Sequence, residues 1–287
     1  SIKMINTSTT LSVKEITAII EKPEPDNEEQ VPETWCGRHL KTKDDLVSYP
    51  KFKDGEKGSL LCKFLTEDVW NQLHNKTDSE GFGFKQCIIS GCQNTDSGVG
   101  VYAISPDSYN AFAPLFTPVI EEYHKIKIDA GHVSNMDHTQ LNCPPFSEED
   151  AKMIKSTRIR VGRNLADFPL GPGLTRENET KLKSLSLKLY QNLRVTLRVH
   201  ITHLFNDSIT IEELIEDHFL FKEGDRFLEA VGLNRNWPEG RGIFHNDAKT
   251  FLTWVNEEDQ LRIISMEQGS DIGGVFSRLA RAANAIE

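Results

Sequence analysis

The chain has 287 residues, of which 38% are hydrophobic and 26% charged, with twelve prolines, the proportions of a folded globular protein rather than a disordered one. Its formal net charge of −10 sets it against nucleic acid and anionic membrane surfaces, whose phosphates repel it, while leaving room for a local pocket of arginines. No run approaches the ~18 apolar residues of a membrane span, and the N-terminal stretch is neither apolar enough for a secretory signal nor basic enough for a transit segment, so the cytoplasm is the expected compartment.

The length suits one large domain or two ordinary ones. Residues 1–55 mix serine, threonine, proline and acidic residues (EKPEPDNEEQVPE) with one short apolar patch, Ile16 to Ile20. They read as a partly disordered extension, with Trp35-Cys36 and Tyr49-Pro50 as the candidates to pin it to a domain surface. The five cysteines all precede residue 144, and an odd number gives no disulfide framework. Cys87 and Cys92 have no histidine or second cysteine pair nearby and read as buried free thiols rather than metal ligands.

From Ser59 the period is helical, with Leu60, Leu61, Phe64, Leu65, Val69 and Leu73 at three- and four-residue spacing. A second helical unit is expected after Ser105-Pro106, through Tyr109, Phe112, Leu115, Phe116, Val119, Ile120 and Tyr123, broken or kinked by Pro114 and Pro118. Together these define a small all-helical domain over 56–128. Between the two units lies NTDSGVGVY, Asn94 to Tyr102, whose glycines allow close approach of backbone to a ligand, although such a loop alone equally just turns the chain. A polar linker covers 129–150.

The domain expected over 151–287 opens on STRIRVGRN. As a strand it puts Ser156, Arg158 and Arg160 on one face. Two guanidinium forks in a row suit phosphate oxygens, and without further context they equally make a solvated face. Leu182, Leu185, Leu189 and Leu193 predict a helix, and the alternation of Val195, Leu197, Val199 and Ile201 predicts a strand. Thr210 and Glu213 form a capping box, with His218 close behind. KTFLTWVN and QLRIISM read as a hairpin joined by Asn256, Glu257, Glu258 and Asp259. Arg262, Ile264 and Met266 then face one way and Leu261, Ile263 and Ser265 the other. An acidic turn beside a strand arginine is a place where a cation and an anion can be held side by side, or is merely solvated punctuation. Asp271 is expected to cap a last helix with an apolar face of Ile272, Val275, Phe276, Leu279, Ala283 and Ile286.

LLCKFLTEDVWNQL, NTDSGVGVYA, PLFTPVIEEYH, STRIRVGRN-x-x-x-x-P, DHFLFKEGDRF, WPEGRGIFHND, KTFLTWVNEED and LRIISM occur in this order. Together they resemble the phosphagen (ATP:guanidino) kinases, the arginine kinases most closely, from about residue 58 to 287. The resemblance implies an α+β fold: a small all-α domain followed by an antiparallel β-sheet domain flanked by helices, of the glutamine-synthetase-like kind and incomplete at its C-terminus. It implies reversible transfer of the γ-phosphoryl of ATP, with ADP as product and Mg2+ as companion ion, to L-arginine. In the roles it implies, Ser97, Gly98, Val99, Gly100 and Tyr102 contact the acceptor, Glu258 pairs with its guanidinium, and Ser156, Arg158, Arg160, His218 and Arg262 bind nucleotide. Arg262 joins Glu258 in catalysis, Asp96 and Arg226 bridge the domains on closure, and no residue is assigned to hold a metal.

Tyr123 and the length of the NTDSGVG loop favour L-arginine over creatine or taurocyamine. The helical domain argues against a protein-arginine kinase of bacterial type. The family continues beyond the point matching Glu287, with a reactive cysteine, two more phosphate-binding arginines and a second substrate-pairing glutamate. The chain as written is therefore expected to be a partial sequence, unstable or nearly inactive. The alternative is a catalytically silent fragment that binds a nucleotide or a partner. Oligomeric state is left open.

Overall fold

The computed structural model describes residues 32–53, 55, 58–131, 133–197, 199–202 and 223–287. In the helical unit, side-chain caps mark out the elements. Ser59 accepts from the Cys62 amide to start α1, Leu60–Phe64, and Thr66 accepts from the Val69 amide to start α2, Glu67–Leu73. The single apolar period over 60–73 is therefore two helices meeting at Leu65. Helix α3, Phe84–Gln93, runs through the centre with Phe84, Cys87, Ile88, Ile89, Ser90, Gly91 and Cys92 buried. The elements expected from the sequence did not include this helix.

Helix α4, Ser108–Ala111, gives way at Phe112 to α5, Ala113–His124. Pro114 sits in the first turn of α5, where its missing N–H is not needed, and α5 continues past Pro118 to His124 rather than ending there. The core of this unit also takes in Cys36, Leu40 and Leu46. Thr34–Trp35 (β1) pairs in parallel with Pro50–Lys51 (β2), the Gly37 amide donates to the Cys92 carbonyl at 2.8 Å, and Thr34 and Ser48 exchange backbone-to-hydroxyl bonds of 2.8 and 3.0 Å. Packing thus carries the helical unit back to residue 32, into what reads in sequence as an extension.

Cys87 and Cys92 are buried and free. Burial pushes the Cys87 thiol from 9.0 up to about 12, the Asp78 charge adding to it. The folded state thus favours the neutral thiol, and its contribution is complete below the unfolded value. It is lost as pH rises from 9.0 towards 12, at about 1.4 kcal/mol per pH unit. The urea midpoint should fall between pH 9 and 11, and fall less steeply in Cys87→Ala. Parallel pH profiles for the two proteins would contradict this.

The second unit follows α6, Glu148–Met153. Its sheet has the order β3, β7, β6, β5, β4 with every neighbour antiparallel. The strands are β3, Ser156–Arg163; β4, Val199–Thr202; β5, Gly242–Asn246; β6, Phe251–Val255; and β7, Leu261–Gln268. Helix α7, Arg176–Leu197, and the last helix, Ile272–Ile286, lie against one side. On that side Val161, Phe244, Phe251, Val255, Leu261 and Ile263 pack with Leu182, Tyr190, Leu279 and Ala282, each fully buried side chain contributing about 1.5–3 kcal/mol. Tyr190 stacks on Phe244 with centroids 4.5 Å apart and donates to Thr253 Oγ1 at 2.7 Å.

Val195 and Leu197 lie in α7, so the strand expected from their alternation is confined to 199–202. Extending an existing helix adds one hydrogen bond per residue fixed, which outweighs four alternating side chains. Asp271 caps the last helix as expected, accepting from the Gly274 amide at 2.8 Å. Thr210, Glu213 and His218 fall outside the described residues. No described helix is long and apolar enough to cross a membrane.

Candidate active site

The turn from Asn256 to Gln260 joins β6 to β7 and is clamped at both ends. Asn256 adopts φ 55°, a left-handed conformation that asparagine tolerates. Its amide nitrogen donates to the carbonyls of Gly240 at 2.8 Å and Glu179 at 3.2 Å. Gln260, 1% exposed, donates through its side chain to the Pro169 carbonyl at 2.8 Å and accepts from the Leu165 amide at 2.7 Å. Behind the turn the side chains of Arg241 and Glu179, 2% and 4% exposed, pair at 3.1 Å. Asn236 donates to the same Glu179 oxygen at 2.9 Å, and Arg241 also donates to the carbonyls of Glu239 and Leu233.

Between the clamps three carboxylates converge on Arg262. Glu257 lies 2.9 Å from Nη1, and Glu258 and Asp259 lie 2.7 and 3.0 Å from Nη2. Burial works against the guanidinium charge, but the Glu258 hydrogen bond and the Glu257 and Asp259 charges outweigh it and raise its pKa. Burial also holds the Glu257 carboxyl above its usual value. Gly162 stands opposite Arg262 in the sheet. A Cβ there would meet the Asp259 carboxyl at 2.6 Å, so the missing side chain is what lets Asp259 fold over Arg262.

The sheet register places Arg262 opposite Trp254, Arg160 opposite Ile264 and Arg158 opposite Met266, so all six share the face turned away from α7. Arg158 lies 5.5 Å over the Trp254 ring. Burial lowers its pKa, and the like charges of Arg160 and Arg262 lower it further, although an arginine so shifted stays protonated near neutrality. Mutual repulsion of that kind marks a face that gains from receiving an anion. Ser156 is exposed at the far end of β3.

The Asn94 to Tyr102 loop approaches from the helical unit. Carbonyls of Gly98 and Val99 accept from the first amides of α1, Leu60 and Leu61, at 3.0 and 2.9 Å. Gly100 has φ +80°, and a Cβ on Gly91 of α3 would lie 2.2 Å from the Gly100 carbonyl oxygen. Gly100 therefore serves backbone packing, whereas the space beside Gly98 is open. The Tyr102 phenol is pushed up by burial and by the charges of Glu258 and Asp225.

The two units are stitched by the Asp96–Arg226 ion pair, a 2.8 Å bond from Ser90 Oγ to the Phe227 carbonyl, and Val231 and Leu233 buried in the helical core. The hydrogen bond to Arg226 holds the Asp96 carboxyl below its usual value. Among the described residues no group of three or more His, Cys, Asp and Glu is arranged to hold a metal ion. His218 lies outside them. Sequence reasoning missed Trp254, Gly162, Gln260 and the Arg241–Glu179 pair. Pairing KTFLTWVN against QLRIISM by register would have placed Trp254 beside Arg262.

Two family models match the chain in order: the ATP:guanido phosphotransferase N-terminal domain over residues 55–121 and the C-terminal catalytic domain over 181–287. The chain belongs to the ATP:guanido phosphotransferase family. An arginine kinase of Anthopleura japonica is 48% identical over 237 residues, 82% of this chain and 33% of that protein. Arginine kinase Scy s 2 of Scylla serrata is 47% identical over 233 residues, 80% and 65% respectively. The chain thus spans about one third to two thirds of the length of the curated relatives it matches. Among solved structures, a lombricine kinase superposes with TM-score 0.77 at 29% identity, over 86% of this chain and 67% of that one. The substrate-free duplicated taurocyamine kinase from Schistosoma mansoni gives 0.74 at 32%, over 82% and 33%. Relatives within this guanido phosphotransferase family therefore carry names with different acceptors, while both halves of the fold are common to them.

Proposed function

We propose that this chain carries the site of an ATP:guanidino phosphotransferase that moves the γ-phosphoryl of ATP reversibly to L-arginine in the cytoplasm. The observation that supports it best is the Glu258 to Arg262 contact of 2.7 Å on the arginine face of the sheet. It is a carboxylate already holding a guanidinium, beside a cluster of cations suited to phosphate. The roughly 47% identity to arginine kinases supports the choice of acceptor.

In this reading Arg158, Arg160 and Arg262 surround the polyphosphate and stabilise charge on the moving phosphoryl. Mg2+ accompanying the nucleotide would supply further charge neutralisation. When a phosphate takes up Arg262, Glu258 is released to pair with the acceptor guanidinium, and Glu257 and Asp259 keep Arg262 in register. A guanidinium has a pKa above ~12, so the attacking nitrogen must be aimed and must lose a proton as it is phosphorylated. In this reading Glu258 aims it and takes that proton. Ser97, Gly98, Val99, Gly100 and Tyr102 border the other end of the acceptor, Ser156 and His218 complete the nucleotide contacts, and Asp96 with Arg226 holds the units together.

The reading is tested by phosphoryl transfer from MgATP to L-arginine, taurocyamine, lombricine and creatine. Fastest transfer to L-arginine is expected. Faster transfer to another acceptor would overturn the substrate, and nucleotide binding without transfer to any acceptor would overturn the kinase reading for this chain.

A further inference from the structure

A groove of about 390 Å3 lies beside the Asp96–Arg226 bridge. It is lined by Arg38, Lys41, Gln93, Asn94, Arg226, Glu229 and Ala230. Its three cationic side chains outnumber its one carboxylate in a protein of net charge −10. Arg38 and Lys41 belong to the 32–53 segment, and the Gly37 to Cys92 hydrogen bond fixes that segment to α3 at 2.8 Å. Lys41 Nζ donates to the Arg38 carbonyl at 2.9 Å. Arg38 is close enough to Asp96 to help lower its carboxyl, but it forms no ion pair with a described residue. Gln93 and Asn94 are held from behind, by the Leu40 carbonyl at 2.9 Å and the Ser90 carbonyl at 3.2 Å. The groove is thus bordered by two arginines and a lysine on backbone that is tied down, and guanidinium forks match phosphate oxygens two at a time.

We propose that this groove is an anion site for a small phosphate-bearing metabolite, separate from the arginine face of the sheet and drawing on the same Arg226 that Asp96 uses. An anion bound there competes with Asp96 for that guanidinium, which gives it a hold on the bridge between the two units. The site requires nothing of the kinase reading, and its test is independent of transfer activity.

Inorganic pyrophosphate is titrated calorimetrically into the 287-residue chain at constant ionic strength, into Arg158→Gln/Arg160→Gln, and into that variant with Arg38→Gln/Lys41→Gln added. Saturable binding should persist when Arg158 and Arg160 are neutralised. It should weaken by about tenfold or more when Arg38 and Lys41 are also removed, because charge-assisted hydrogen bonds are lost. Both groove residues are exposed, so circular dichroism and the thermal transition should be unchanged. Binding that disappears with Arg158 and Arg160, binding unaffected by loss of Arg38 and Lys41, or no saturable binding in any protein overturns the proposal.

Discussion

Arg241→Ala should lower the folding stability of this chain by about 3–5 kcal/mol, the cost of leaving one member of a buried ion pair without its counter-charge. Glu179 would then sit almost fully enclosed, keeping only the Asn236 hydrogen bond to its carboxylate. The carbonyls of Leu233 and Glu239 would lose their donor as well. Urea denaturation monitored by tryptophan fluorescence should show the midpoint fall sharply. Removing both charges in an Arg241→Met/Glu179→Leu protein should recover much of the loss, because apolar side chains of similar volume often replace such pairs without penalty. A single variant that unfolds like the parent would mean that water reaches the pair. If the double variant recovers stability but loses transfer activity, the pair's part is to set the turn carrying Glu258, whose first residue, Asn256, hangs on the Glu179 and Gly240 carbonyls.

Glu258→Gln is the second large effect, and it falls on rate rather than stability. The amide keeps the shape and one acceptor oxygen but cannot pair a guanidinium charge for charge or take its proton. On the proposed mechanism kcat should drop by about 10²- to 10³-fold, within the range of a positioned acid-base group. Nucleotide affinity should change little, since Arg262 keeps Glu257 at 2.9 Å and Asp259 at 3.0 Å. The Glu258 side chain is 48% exposed, and an ion pair that open contributes at most about 1 kcal/mol, so the thermal transition should barely move. Steady-state kinetics, nucleotide titration and a melting curve separate these outcomes. An unchanged kcat would remove Glu258 from the chemistry.

What the sequence revealed and what it hid follow a physical division. Period-two alternation assigned the faces of β3 and β7 correctly, because strand side chains alternate whatever the sheet packs against. It therefore put Arg158 and Arg160 on one side and Arg262 beside an acidic turn, and Asp271 was readable because a cap is a local bond. The hidden features depend on contacts distant in the chain. Helix α3 is buried over most of its surface because other elements enclose it, and the 32–53 segment is polar in sequence yet buries Cys36, Leu40 and Leu46. Gln260 reads as an ordinary turn residue until the 164–169 segment folds over it. The clamps behind the site were hidden for the same reason, since nothing local distinguishes Arg241 or Glu179 from solvated residues.

The contact between Gly91 and Gly100 limits which substitutions this part of the chain tolerates over evolutionary time. A Cβ on Gly91 would run into the Gly100 backbone at 2.2 Å, whereas one on Gly100 would meet Leu61 Cβ at 3.1 Å and is disfavoured chiefly by φ +80°. Val99 and Gly100 are therefore poor places for insertion, being tied to α1 on one side and α3 on the other. The stretch from Thr95 to Gly98 meets open space at Gly98. Even there Asp96 is tied to Arg226 and the Gly98 carbonyl to the Leu60 amide, so the side-chain space beside Gly98 is freer than its backbone.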